Sequence, residues 1–286
     1  MKLKSFEWLL IIYQLIIIVI AAAYRNNITK IDYRYLIAAH AICILFIIFF
    51  MSKVTNAFIK NLYPFLILPF FYNEIGLIHH ILYKIPQDEI FITIDKIIFR
   101  ENIGLTLCRH FSGRMFSEIM HFFYFSYYFI TVLPAIYLFN KSTAALERYM
   151  FIILCSFFVF YIIFIFYPVY GPEFYIKYLG KSLNPKTLNG YYFRDLLHFI
   201  LNKAEIHGAA FPSSHVGIAL IVYLLIKSYN KILTALVFIC MLGICIATVY
   251  TRAHYFIDVI AGLIAGYLFY LFTAFVYDKL ISGGKG

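Results

Sequence analysis

Long apolar runs separated by short polar segments occupy the chain from end to end. Runs near 20 apolar residues have the length at which an α-helix crosses the hydrocarbon core of a bilayer. On this pattern we expect spans at about Phe6–Tyr24, Tyr33–Met51, Leu62–Leu82, Met115–Phe139, Tyr149–Tyr167, Ser213–Tyr229, Ile232–Tyr250 and Tyr255–Tyr277. Pro64, Pro69, Asn73 and Glu74 interrupt the third run. The runs are continuous rather than alternating, which sets a transmembrane β-barrel aside. The expected fold is all-α, a polytopic membrane helical bundle of about eight spans.

Two connecting segments are longer than a turn. Residues 83–114 contain an amphipathic piece, Ile90–Phe99, with Asp95 and Lys96 inside it and Arg100 following, expected to lie in the membrane interface. Residues 167–212 carry turn signals at Pro168, Gly171-Pro172, Asn184-Pro185 and Asn189-Gly190, with a short interfacial helix expected over Tyr191–Leu201. This segment is placed either to roof a site or to act as a passive connector. The first run, flanked by Lys2 and Lys4 and ending in Ala21-Ala22-Ala23, resembles a secretory signal. Its length and the following Arg25 favour a retained span.

Composition agrees with the pattern: 63% of the 286 residues are hydrophobic and 13% are charged, against about 25% charged in a soluble domain. The formal charge of +10 resides mostly in loop lysines and arginines, so it bears on topology and anionic lipid rather than on nucleic acid. With eight spans both termini share one face, whose short loops hold Lys53, Lys60, Lys141, Arg148, Lys227 and Lys231. The positive-inside rule then places the termini in the cytoplasm and the opposite loops outside. The five cysteines form no disulfide framework, and Cys240 and Cys245 have a poor metal spacing. They read as small buried hydrophobes.

Chemistry concentrates in two segments on consecutive spans: Phe211-Pro212-Ser213-Ser214-His215 and His254-Tyr255-Phe256-Ile257-Asp258. Pro212 suits a helix start, and Ser213 or Ser214 can cap free amides there. Such a start presents N–H groups and a positive dipole end that favour phosphate. One membrane hairpin later, His254 returns to the face of His215. Asp258 lies four residues beyond His254, on the same helical face. A carboxylate that accepts one ring N–H leaves the other nitrogen free to attack phosphorus, while His215 supplies a proton. Phosphoryl transfer is the leading reading. Two histidines and an aspartate could instead bind zinc, and a transporter relaying protons through histidines is a non-enzymatic alternative. His40, His79, His80, His121 and His198 read as structural hydrogen-bonders.

These motifs resemble the type-2 phosphatidic acid phosphatase superfamily, whose pattern is Pro-Ser-Gly-His followed by Ser-Arg, five residues, His, three residues and Asp. The resemblance runs from about Leu62 to the C-terminus. It implies a six-helix core at 62–286 behind two additional N-terminal spans at 1–61. It further implies His254 as nucleophile, Asp258 as its orienting group, His215 as acid, and catalysis without a metal or other cofactor. The sequence departs from the pattern at Ser214, where glycine is usual, and at Thr248, where arginine is usual; no Arg-Pro pair occurs. With Phe-Tyr-Phe-Ser-Tyr-Tyr at 123–128 and Tyr-Pro-Val-Tyr-Gly-Pro at 167–172, the chain resembles the inositol phosphorylceramide synthase branch. Phosphate-binding candidates are Ser213, Ser214 and Arg252, with Lys177, Arg194 and Lys203 in the loop. The implied substrate is a membrane lipid phosphate, cleaved by water or transferred to an alcohol acceptor. The implied location is a bacterial inner membrane with the site facing outward.

Overall fold

The computed structural model describes residues 3–181, 188–204 and 207–282; the turn expected at Asn184-Pro185 lies outside them. The two N-terminal runs form α1 (Ser5–Ala23) and α2 (Tyr33–Leu45), and the second continues helically to Phe50. A short α3 (Ala57–Leu62) precedes α4 (Pro64–Ile78), and α5 (Asp88–Phe99) and α6 (Ile103–His110) follow. Then come α7 (Arg114–Phe139), α8 (Thr143–Phe166), the short α9 (Pro172–Tyr178) and α10 (Tyr192–Ala204). The chain closes with α11 (Ser214–Ile226), α12 (Lys231–Tyr250) and α13 (Phe256–Val276). Side-chain oxygens start many of these helices: Asp32, Asn56, Asn102, Ser142, Ser213 and Asn230 each accept a first-turn N–H.

The protein is an all-α integral membrane bundle. Among the described residues, six helices are long and apolar enough to cross a membrane, two fewer than the apolar runs suggested. The shortfall lies in α4 and α11. The short α3 precedes the expected third span, and α4 starts at Pro64 and ends at Ile78, before the expected end at Leu82. In α11 the 13 helical residues reach only about 20 Å, because the helix starts at Ser214 and stops at Ile226. It packs against α7, α8, α12 and α13.

The core centres on α8, which is apolar all round and touches α1, α4, α7, α11 and α13. One buried polar cluster joins the N-terminal pair to this core. Glu74 of α4 accepts the Tyr13 hydroxyl at 2.8 Å, and its other oxygen lies 2.9 Å from His40 Nε2. Glu74, which seemed to break the third run, is thus accommodated inside the bundle by partners on α1 and α2.

Glycines set the crossing that matters most for the site. A Cβ at Gly262 would meet the Ser213 carbonyl oxygen at 2.5 Å, and one at Gly266 would meet the Gly217 oxygen at 2.6 Å. A Cβ at Gly217 would strike Phe160 Cζ at 2.5 Å and the Gly262 oxygen at 2.9 Å. Small residues let two membrane helices approach at backbone distance. Here they bring the start of α11 against the start of α13.

Candidate active site

Both motif segments therefore open helices at the same end of the bundle. Pro212 and Ser213 are buried, and Ser213 Oγ accepts the Val216 N–H at 3.4 Å as the helix cap. The Ser213 N–H donates to the Asp258 carbonyl at 3.0 Å, tying one segment to the other. Ser213 thus supports the helix start with its side chain. Ser214 and His215 border the adjacent cavity.

His254 is delivered by the turn that ends α12. The Thr248 carbonyl accepts N–H groups from both Ala253 and His254 at 3.1 Å, and Arg252 between them adopts a left-handed backbone, φ 63°. This reversal swings His254 back over the start of α11. Its Nδ1 lies 2.8 Å from the Ala210 carbonyl oxygen and its Nε2 lies 3.4 Å from His215 Nδ1. A carbonyl can only accept, so Nδ1 carries the proton and Nε2 presents its lone pair toward His215 Nδ1. The His215 ring sits between Tyr124 and Tyr127, with centroids at 4.8 and 4.5 Å.

Asp258 is placed differently from the expectation that it accepts the ring N–H. Its Oδ2 accepts the Tyr255 backbone N–H at 2.8 Å and lies 3.5 Å from His254 Nδ1. The shorter contact to the ring is the Ala210 carbonyl. Asp258, fully buried, fixes the first turn of α13 directly and acts on the ring at longer range.

The sequence-level cation candidates are engaged elsewhere. Arg252 is buried with its guanidinium 3.0 Å from Glu173 of α9, and Lys177 lies 3.0 Å from the other oxygen of the same carboxylate. Arg194 donates to the Leu188 carbonyl and pairs with Asp195 at 2.8 Å. The side chain of Lys203 lies outside the described residues. Thr248, at the position where the motif has arginine, is buried and turns its hydroxyl to the Ile244 carbonyl at 2.9 Å. Several of the histidines read as structural do make hydrogen bonds: His79 to the Ile75 carbonyl and His121 to the Ser117 carbonyl one turn away, and His80 to the Tyr170 hydroxyl across the fold.

An apolar cavity of about 430 Å³ opens beside His215. Its walls include Tyr72 of α4, Tyr124, Tyr127 and Tyr128 of α7, Tyr161 of α8 and Ile200 of α10. The loop helix α10 thus contributes to covering the cavity. Glu118 of α7 holds its start, accepting N–H groups from Tyr191 at 2.7 Å and Phe193 at 2.6 Å.

Sequence reasoning missed three supports of His254. One is the Ala210 carbonyl; the others are Asp88 and Asp95 of α5. Asp88 accepts N–H groups from Tyr170 and Gly171, each at 2.8 Å, and the Tyr255 hydroxyl at 2.9 Å. Asp95 accepts the first-turn amides of α13, Phe256 at 3.1 Å and Ile257 at 3.4 Å. Burial pushes Asp88 up to about 7 despite these donors, and burial likewise raises Asp95. No residue type at 88 or 95 announces such contacts, since their partners lie more than 80 residues away for Asp88 and more than 160 for Asp95. Within the amphipathic α5, Asp95 is buried against the start of α13.

Residues 109–272 match the PAP2 superfamily. The chain belongs to that superfamily. The matched segment covers the end of α6 through most of α13, and so contains both histidines, Asp258 and Arg252. A PA-phosphatase related-family protein of Dictyostelium discoideum is 32% identical over 177 residues, which is 54% of this chain. The aligned part is 31% of that relative, so the chain spans about a third of its length. No solved structure matches. Within the superfamily segment, the paired histidines and Asp258 are brought together, while Arg252 is drawn to Glu173.

Proposed function

We propose that the protein is a membrane lipid-phosphate phosphatase that works through a phosphohistidine on His254. The observation that carries this reading is the fixed tautomer of His254, whose free Nε2 faces His215 beside an apolar cavity. In the first half-reaction the Nε2 lone pair bonds to phosphorus as the P–O bond to the lipid breaks. The departing oxygen takes a proton from a protonated His215. His254 keeps its Nδ1–H, and the Ala210 carbonyl and the Asp258 carboxylate stabilise the charge on the ring. In the second half-reaction His215 removes a proton from water while the water oxygen bonds to phosphorus. The N–P bond breaks, and inorganic phosphate leaves.

The α11 start, capped by Ser213 and continued by Ser214, favours negative charge on the phosphoryl oxygens. Arg252 is the nearest cation in sequence and joins them by exchanging its Glu173 partner. The cavity beside His215 suits an apolar lipid tail, in the size range of ordinary ligand sites. The short-loop basic residues lie at the opposite end of the bundle, which supports an outward-facing site in a cytoplasmic membrane.

Head-group transfer, as in the inositol phosphorylceramide synthase branch, uses the same triad with an alcohol in place of water. One observation favours keeping it. The aromatic motif at 123–128 supplies four of the cavity walls, Tyr124, Phe125, Tyr127 and Tyr128, beside the acid His215. Detergent-purified protein given labelled phosphatidic acid, a polyprenyl diphosphate or a phosphoinositol lipid, without divalent metal, separates the readings. Hydrolysis predicts inorganic phosphate whose yield is indifferent to added alcohols. A new labelled lipid formed in its place establishes transfer. Turnover of none of these substrates overturns both.

A further inference from the structure

Helix α5 lies N-terminal to the superfamily segment, yet its buried stripe reaches both supports of His254. The stripe is Asp88, Phe91 and Asp95, spaced to share one helical face. All three are buried, whereas Ile90 and Ile97 on the opposite side of the helix are more than half exposed. Two carboxylates on the inward stripe of an amphipathic helix are costly to bury without donors. Here each is supplied with backbone N–H groups from the walls of the active site.

Asp95 caps the first turn of α13, which begins two residues after His254. Phe91 stacks on Tyr255 at 5.9 Å and packs on Phe211 at 4.7 Å, so it touches the residue after one histidine and the segment before the other. Asp88 binds the Tyr255 hydroxyl and the amides of Tyr170 and Gly171. That loop in turn fixes the carbonyl on which the His254 ring rests, because Val169 accepts the Ala210 N–H at 2.9 Å. Gly171, at φ +82°, comes so close to the His254 turn that a Cβ there would meet the Ala253 carbonyl oxygen at 2.2 Å.

We propose that Asp88 and Asp95 are positioning residues: α5 braces the turn that carries His254 and the Ala210 carbonyl that sets its tautomer. Neither aspartate touches the reacting atoms. Asp95 sets the register of the α13 start, and Asp88 joins that start to the loop behind Ala210. Losing either lets the ring rotate away from the geometry in which Nε2 faces His215. The consequence falls on turnover rather than on substrate binding, since, among the described residues, none that α5 contacts lines the tail cavity.

This proposal rests on the phosphohistidine reading for its kinetic arm alone. The test uses the full chain in detergent and measures turnover together with 15N-histidine spectra, which report the His254 tautomer whatever the reaction is. Asp95→Leu is expected to lower kcat about tenfold or more with KM within about twofold, and to mix the His254 tautomers. Asp95→Asn, which keeps an accepting oxygen at the cap, should recover most of that loss. Tyr255→Phe removes a single donor to Asp88 and leaves the ring packing in place. It should lower kcat severalfold, and it decides the matter if the aspartate variants do not fold. Wild-type kcat and an unchanged Nδ1–H tautomer in Asp95→Asn and Tyr255→Phe, with no greater loss in a folded Asp95→Leu, would overturn the proposal. If His254→Ala kept full turnover, the phosphohistidine reading would fail, and the tautomer spectra would still decide the role of α5.

Discussion

The α11–α13 crossing and the α5 brace act on His254 by different physics. Inside the bundle, Gly217, Gly262 and Gly266 remove side-chain bulk so that two helix starts meet at backbone distance. On α5, Asp88 and Asp95 put charge-bearing acceptors against backbone N–H groups. The first contact decides where the histidines are. The second bears on which way the His254 ring faces. Close packing tolerates almost no added volume, whereas a hydrogen-bonded brace loses its effect in steps as acceptors are removed.

The largest effect should therefore come from filling the crossing. Gly262→Leu places side-chain atoms where the Ser213 carbonyl and its neighbours already sit. Overpacking of this kind costs about 1–3 kcal/mol or more, and it should also separate His215 from His254. We expect a lower unfolding temperature in detergent and loss of turnover by about a hundredfold or more. A Gly262→Leu protein with wild-type turnover would mean that the crossing does not set the site.

A smaller effect, confined to the brace, is expected from pH. Asp88 is fully buried, and burial pushes its carboxyl up to about 7. Its surroundings are the Tyr255 hydroxyl, the Tyr170 and Gly171 amides, and the nearby carboxylate of Asp258. Above about 7 the carboxylate accepts all three donors; below, the bound proton removes acceptor capacity and loosens the Ala210 loop. Turnover should fall on the acid side of neutrality. Stability runs the other way. A carboxyl group whose folded value is raised binds more protons folded than unfolded, so its contribution to stability declines as pH rises toward about 7. In Asp88→Asn the acid limb of the kcat profile should flatten, because the titrating group is gone. An acid limb unchanged in that variant would assign it to another group, such as the histidine pair.

The two regions also differ in how far they could be read in advance. The histidine motifs were legible because their spacing and their position at the mouths of apolar runs are local properties. The all-α membrane class followed from run length alone. The number of complete spans did not, since nothing local in Ser213–Tyr229 says that the helix stops at Ile226. Asp258 was expected on one helical face with His254, but His254 stands in the turn before α13, and the contact of Asp258 with the ring is longer than that of the Ala210 carbonyl. A main-chain oxygen carries no residue signature, so no sequence pattern could have named Ala210. Asp88 and Asp95 were hidden for a related reason. An aspartate in an amphipathic segment looks like a solvated polar face until a distant helix start is folded against it.

The central claim is that Nε2 of His254, and not Nδ1, attacks phosphorus, because the Ala210 carbonyl holds the proton on Nδ1. Rapid quenching in alkali during turnover of a 32P-labelled lipid phosphate, followed by peptide mapping and separation of the two phosphohistidine isomers, tests it directly. The account predicts acid-labile label on the peptide containing His254, as the Nε2 isomer, and no label in His254→Gln. Label on Nδ1, or turnover without any label on His254, would contradict it.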